Sequence, residues 1–210
     1  FTMTSKGSGA YQSCQAAVEM FKERTPEVHV EVIDTLQVAM SQGWVAIEAA
    51  RAAMNGVPLQ DVLSRARAVG QRGMMIQTAD TLRYLYMGGR IGKAQHLLGV
   101  LLNIKPLIGM KDGEIVALGT ARSRLKAYRR IVDLMQQAVG EGTSIKVAFT
   151  HVAARDQLER LKAMVTARFD CSEIILTELS PALAVHSGPG TVGVSFFPVG
   201  ALTPQRGARD

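Results

Sequence analysis

Hydrophobic and polar positions change period along this chain, and each change marks the border of an expected element. Residues 12–23 have helical spacing, whereas His29-Val-Glu-Val-Ile33 alternates every second residue, as a half-buried strand does, before Asp34-Thr35 interrupts it. Ser41 stands where an N-cap would open a helix running through Met54 and closing at Asn55-Gly56. Pro58 opens another, with Val62, Leu63, Ala66 and Val69 on one face. Strands and helices in alternation predict a parallel arrangement, so residues 1–72 are expected to be what is left of a doubly wound α/β domain.

After Gly70 the pattern changes. A strand is expected over residues 74–78, then a short helix from Asp80 stopped by Gly88-Gly89, and a second short helix over residues 92–98. Residues 104–110 and 114–118 flank Lys111-Asp112-Gly113, the strongest hairpin-turn signal in the chain. Strands over residues 144–150, 172–179 and 191–197, with helices over 122–139 and 154–168, would complete a second α/β domain whose sheet is mainly antiparallel. Its expected limits are residues 73–204, and residues 205–210 read as a disordered tail. On the helix from Arg122, the residues Leu125, Tyr128, Val132, Met135 and Val139 form a core stripe. Arg122, Lys126, Arg129 and Asp133 share the opposite face, which reads either as ordinary wet surface or as a docking face.

With 210 residues, 47% hydrophobic and 20% charged, the chain can bury a sizeable core. No apolar run approaches the roughly 18 residues that a membrane span needs, so a soluble protein is expected. Cys14 and Cys171 fit no metal-ligand spacing and are expected to be buried free thiols in a reducing cytoplasm. A net charge of +6 leaves a basic, nucleic-acid-associated regulator as an alternative, although 5% aromatic residues provide few platforms for stacking bases.

Two glycine-rich segments carry the candidate chemistry. Arg90 in Gly88-Gly-Arg-Ile-Gly92 and His186 in His186-Ser-Gly-Pro-Gly190 each put a cation-capable side chain where a turn leaves backbone amides open to an anion. Ser8, in Gly7-Ser-Gly9 ahead of the first helix, is either a simple cap or part of an anion site at that helix end. The run from Gly88 to Lys93 fails as a phosphate loop, because its glycine spacing is one residue short and Ala94 occupies the Ser/Thr position. Ser8 with His186 suggests a small hydrolase, yet there is no nucleophile elbow and no obvious carboxylate to orient the histidine. His29, His96 and His151 lie on separate elements, so no metal is expected.

Five motifs, in order, resemble those of the DegV family of bacterial fatty-acid-binding proteins. They are Asp80 to Ile91, Asn103 to Pro106, Asp112 to Ile115, Arg122 to Ala127, and His186 to Gly190. The resemblance runs from Thr4 to Phe197. The chain departs from the family at its start: Phe1 to Tyr11 is similar to a motif that stands later in family members, with Gly7 in place of leucine and Ala10 in place of threonine. The family's N-terminal third is therefore expected to be absent. The resemblance implies a two-domain DegV-like α/β fold that binds a long-chain, palmitate-like fatty acid between its domains. It also implies a carboxylate held near Ser8, Gly9, Arg90 and His186, with no cofactor, no metal and no catalysis by the chain itself. A separate fatty-acid kinase, engaged through Arg122 and Arg124, would receive the acid for phospholipid synthesis. Without the missing third, which carries a threonine hydroxyl for the carboxylate, the lipid site is expected to be incomplete, with weak retention and a tendency to associate.

Overall fold

The computed structural model describes residues 1–97 and 104–202. The elements are α1 (Ala10–Lys22), α2 (Ala39–Met54), α3 (Leu59–Arg72), β1 (Met74–Thr78), α4 (Arg83–Met87), β2 (Lys105–Lys111) and β3 (Glu114–Ala121), followed by α5 (Arg124–Val139), β4 (Ser144–His151), α6 (Arg155–Thr166), β5 (Asp170–Glu178), α7 (Pro181–Ser187) and β6 (Val192–Pro198). Short 3-10 turns cover Gly92–Leu97 and Val199–Leu202.

The six strands of the described residues join one sheet in the order β3-β2-β1-β6-β4-β5. Only β4 and β5 run parallel, and every other neighbouring pair is antiparallel. The β2–β3 hairpin closes through Asp112 and Gly113, at φ 52° and 81°. Two left-handed residues in a two-residue loop match the twist of the flanking strands, which is why Asp-Gly stands there.

Alternation along the strands makes three layers. Val147 and Phe149 of β4, with Val194 and Phe196 of β6, face α5 and α6, where Tyr128, Ile131, Met135, Leu158 and Leu161 meet them. The intervening residues face the other way: Ala148 and Phe197 pack against Trp44, Val45, Ala66 and Val69 of α2 and α3. The Trp44 and Phe197 rings meet edge to face with centroids 5.6 Å apart, and the Trp44 indole N–H donates to the Ser195 carbonyl at 3.0 Å.

Several expectations are revised. No strand forms over residues 29–33. The N-terminal segment contributes a single parallel bridge, Thr2 to Asp34, supported by N–H donation from Thr2 to Ile33 O at 2.9 Å and from Thr4 to Gln37 O at 2.9 Å. A strand needs a paired neighbour to persist, and among the described residues this segment has one short neighbour on one side. The second helix begins at Ala39, so Ser41 is not its cap but lies inside it, 1% exposed. On α5 the buried stripe is Ala127, Tyr128, Ile131 and Met135, while Leu125 is 52% exposed. Ser123 caps that helix by accepting from the Lys126 N–H, and at roughly 100° per residue Leu125 lies more than a quarter turn round the helix from the centre of the buried stripe. Cys14 is exposed because α1 buries no residue at all, and Cys171 is half-buried; both thiols are free. The α7 helix had no counterpart among the expected elements. Leu98, Asn103 and the expected tail at residues 205–210 lie outside the described residues.

One charged cluster lies within the α2–α3 layer. Glu48, with a side chain 0% exposed, accepts from Arg51 at 2.8 Å, Arg65 at 3.0 Å and Lys146 at 2.7 Å. Arg51 also forms a bidentate pair with Glu173 on β5, both bonds at 2.7 Å. No helix among the described residues is long and apolar enough to cross a membrane.

Candidate functional site

The site is assembled where α4, α7 and the segment before α1 converge on β1 and β2. Leu82, Leu85, Ile91 and Ala94 bury against Ile108, which fixes residues 82–94 onto the β2 side of the sheet. Gly89, at φ 67°, turns the chain out of α4 so that Arg90 reaches back. Its Nη1 donates to the Gly88 carbonyl at 2.8 Å and its Nε to the Gly7 carbonyl at 3.3 Å. Arg90 thereby ties the α4 terminus to the turn that carries Ser8.

His186 sits in the last turn of α7, not in the glycine-rich loop expected from sequence, and that loop follows it. Pro181 in the first turn presets the helical φ. Two glycines let α7 press against α4. A Cβ on Gly88 would stand 2.1 Å from His186 Nδ1, and a Cβ on Gly188, itself at φ 78°, would stand 2.2 Å from the Tyr84 ring. His186 Nδ1 is buried and has no hydrogen-bond partner among the described residues.

Ser8 Oγ accepts the Ala10 N–H at 3.2 Å in a short serine turn one residue ahead of the N-cap Gly9, and no side chain caps the helix itself. Its hydroxyl proton is left to donate elsewhere, so this turn and an anion contact are compatible. Ser8, Arg90 and His186 all line one cavity of about 260 Å³, whose apolar wall includes Met75, Leu85, Ile108, Met110 and Leu183. Gly9, the N-cap of α1, is not part of that lining. The structure therefore brings together three residues separated by up to 178 positions in sequence.

Arg122 and Arg124 differ. Arg122 is exposed, whereas Arg124 binds Asp80 at 2.6 Å and donates to the Gly190 carbonyl. Lys105 pairs with the other Asp80 oxygen. Burial pushes the Asp80 carboxyl up, but Lys105 and Arg124 outweigh it and hold the group below its ordinary value. Arg124 thus pins the loop after His186 to the C-terminal end of β1.

A sequence model described as "Uncharacterised protein, DegV family" matches residues 1–199. The chain belongs to the DegV family. A DegV domain-containing protein of Clostridium acetobutylicum is 32% identical over 195 residues, covering 93% of this chain and 68% of its own length. Another, from Caldanaerobacter subterraneus, is 30% identical over 194 residues, covering 92% and 68%. Among solved structures, a DegV family protein of Thermus thermophilus, described for its fatty-acid binding, superimposes with a TM-score of 0.87 at 29% identity, covering 94% of this chain and 69% of that one. A stearic-acid-binding protein of Eubacterium ventriosum superimposes at 0.81 with 25% identity, covering 94% and 69%. The α/β architecture with its mixed six-stranded sheet is thus the DegV fold, as the motifs implied.

Two features of this DegV site escaped the sequence reading. Thr4 is 2% exposed, lines the cavity and donates to the Gly113 carbonyl at 2.8 Å; nothing in its local pattern marks it. Gln77 also lines the cavity, and its signal was available: one amide inside the otherwise apolar run Met74-Met-Ile-Gln77.

Proposed function

We propose that this chain binds a long-chain, palmitate-like fatty acid, with the acyl chain in the 260 Å³ cavity and the carboxylate among Ser8, Arg90 and His186. The observation that carries the reading is the convergence of two cationic or donor side chains and one hydroxyl on an apolar cavity. Met75, Ile108 and Leu183 can cover methylenes, each worth about 0.8 kcal/mol when buried. Hydrogen bonds to the ionised head group add about 1.5–3 kcal/mol each and fix which end faces outward. Residues 3–39 and residues 75–187 both contribute lining, which supports a site between an N-terminal unit of residues 1–72 and a C-terminal unit of residues 73–204. Nothing among the described residues gives His186 Nδ1 the carboxylate that a Ser/His hydrolase needs. The chain then acts as a carrier, and a separate fatty-acid kinase in a bacterial cytoplasm converts the presented carboxylate to an acyl phosphate for phospholipid synthesis.

A titration with fatty acids of increasing length tests the binding step. Affinity should rise about fourfold per added methylene while each is buried. It should then level off once the cavity of about 260 Å³ is filled. Affinity that ignores chain length, or no binding at any length, would overturn the reading.

Kinase engagement falls to Arg122, the more exposed of the two arginines. Arg122→Glu should leave the fatty-acid titration unchanged but slow phosphorylation by a cognate kinase at low salt, since exposed charges chiefly govern encounter. Identical rates for variant and parent would return Arg122, which stands just ahead of the α5 cap Ser123, to ordinary surface. Arg124 is held by Asp80 and Gly190 and acts in this scheme by positioning the loop behind His186.

A further inference from the structure

Gln77 is 5% exposed and lines the cavity. Its neighbours on that face are apolar: Met75 two residues earlier on β1, and Ile108, its register partner on β2. On the other side its register partner is Gly193 of β6, where a Cβ would stand 2.4 Å from Gln77 Cγ. Glycine at 193 is what leaves room for a long amide side chain to lie flat on this face. Among the described residues the Gln77 amide makes no hydrogen bond, although a primary amide offers two donors and an acceptor. A plain alkyl chain lying here would seal the Gln77 amide from water without satisfying it, which is unfavourable. A chain with its own oxygen would satisfy it.

Building on the fatty-acid reading, we propose that Gln77 is a specificity residue that favours a hydroxy fatty acid. The hydroxyl on the acyl chain accepts from the Gln77 amide N–H and donates to its carbonyl oxygen. The test is a set of binding titrations with hexadecanoate and with hydroxyhexadecanoates bearing the hydroxyl near the carboxylate, at mid-chain, or near the methyl end. Each is run on the parent and on Gln77→Met, which keeps the side-chain length and removes the amide. The parent should bind one positional isomer roughly three- to tenfold more tightly than hexadecanoate, the range of one net hydrogen bond, and Gln77→Met should reverse that preference. Equal or weaker binding of every hydroxy acid by the parent overturns the proposal whatever the variant does. So does an equal loss of all the acids in Gln77→Met, which would make Gln77 a carboxylate contact. In both of those outcomes hexadecanoate still binds the parent and the carrier reading stands; binding of no acid by either protein removes both.

Discussion

Glu48→Ala is expected to destabilise the fold by about 3–5 kcal/mol, the range seen when one partner is deleted from a buried ion pair. The Glu48 carboxylate is fully enclosed and receives Arg51, Arg65 and Lys146. Removing it leaves Lys146, with a side chain only 16% exposed, facing Glu173 alone at 3.2 Å. The cluster also binds α2 and α3 to β4 and β5, so its loss loosens the layer that carries Trp44. Its pH dependence has a definite sign. Arg51 hydrogen bonds, partly opposed by burial, hold Glu173 at about 2 against an ordinary 4.5. For Glu48, burial pushes the carboxyl up, but Lys146, Arg65 and Arg51 together leave it lowered. Carboxylates with depressed folded-state values contribute their full stability above the ordinary value and lose it as pH falls toward the folded one. Urea midpoints of the parent should therefore fall from about pH 4.5 toward pH 2, and Glu48→Gln should flatten that slope. A Glu48→Ala midpoint equivalent to less than about 1 kcal/mol of change would show that water already screens the cluster.

The second large effect concerns head-group binding. His186→Ala should weaken fatty-acid affinity about tenfold to a hundredfold, the equivalent of one hydrogen bond to an ionised carboxylate. Gly88→Ala should do nearly the same without touching any titratable group, because the added methyl would occupy space 2.1 Å from His186 Nδ1 and drive the imidazole out. Combined, the two substitutions should cost little more than either alone, since both remove one contact. Fluorescent fatty-acid displacement on the two single variants and the double variant measures this. If Gly88→Ala binds like the parent while His186→Ala does not, the close packing of α4 on α7 is not what places the imidazole.

The elements that could be read from sequence are those whose signal is local. The stripe Val62, Leu63, Ala66 and Val69 is buried as spaced, β1 has its expected limits, and Asp112-Gly113 turns the hairpin. Leu125 was misread because the stripe drawn through it is rotated: the buried face is centred near Ala127 and Ile131, which that stripe passed over. The strand over residues 29–33 was misread for a related reason: alternation shows fitness for pairing, whereas pairing needs a neighbour that period alone does not reveal. Ser8, Arg90 and His186 were legible only in their local motifs, and their convergence on one cavity was not.

Sequence by itself determined the periods, the turn chemistry and the family, because helix stripes, hairpin turns and motif order depend on residues within a few positions of each other. Only the tertiary structure decided that Trp44 reaches Ser195, that Glu48 gathers Lys146 from a strand nearly a hundred residues away, that His186 belongs to a helix packed on Gly88, and that Ser8, Arg90 and His186 share one cavity. Those outcomes come from burial and close packing between distant segments. Their free energy appears only when the layers meet, so no local pattern could record it.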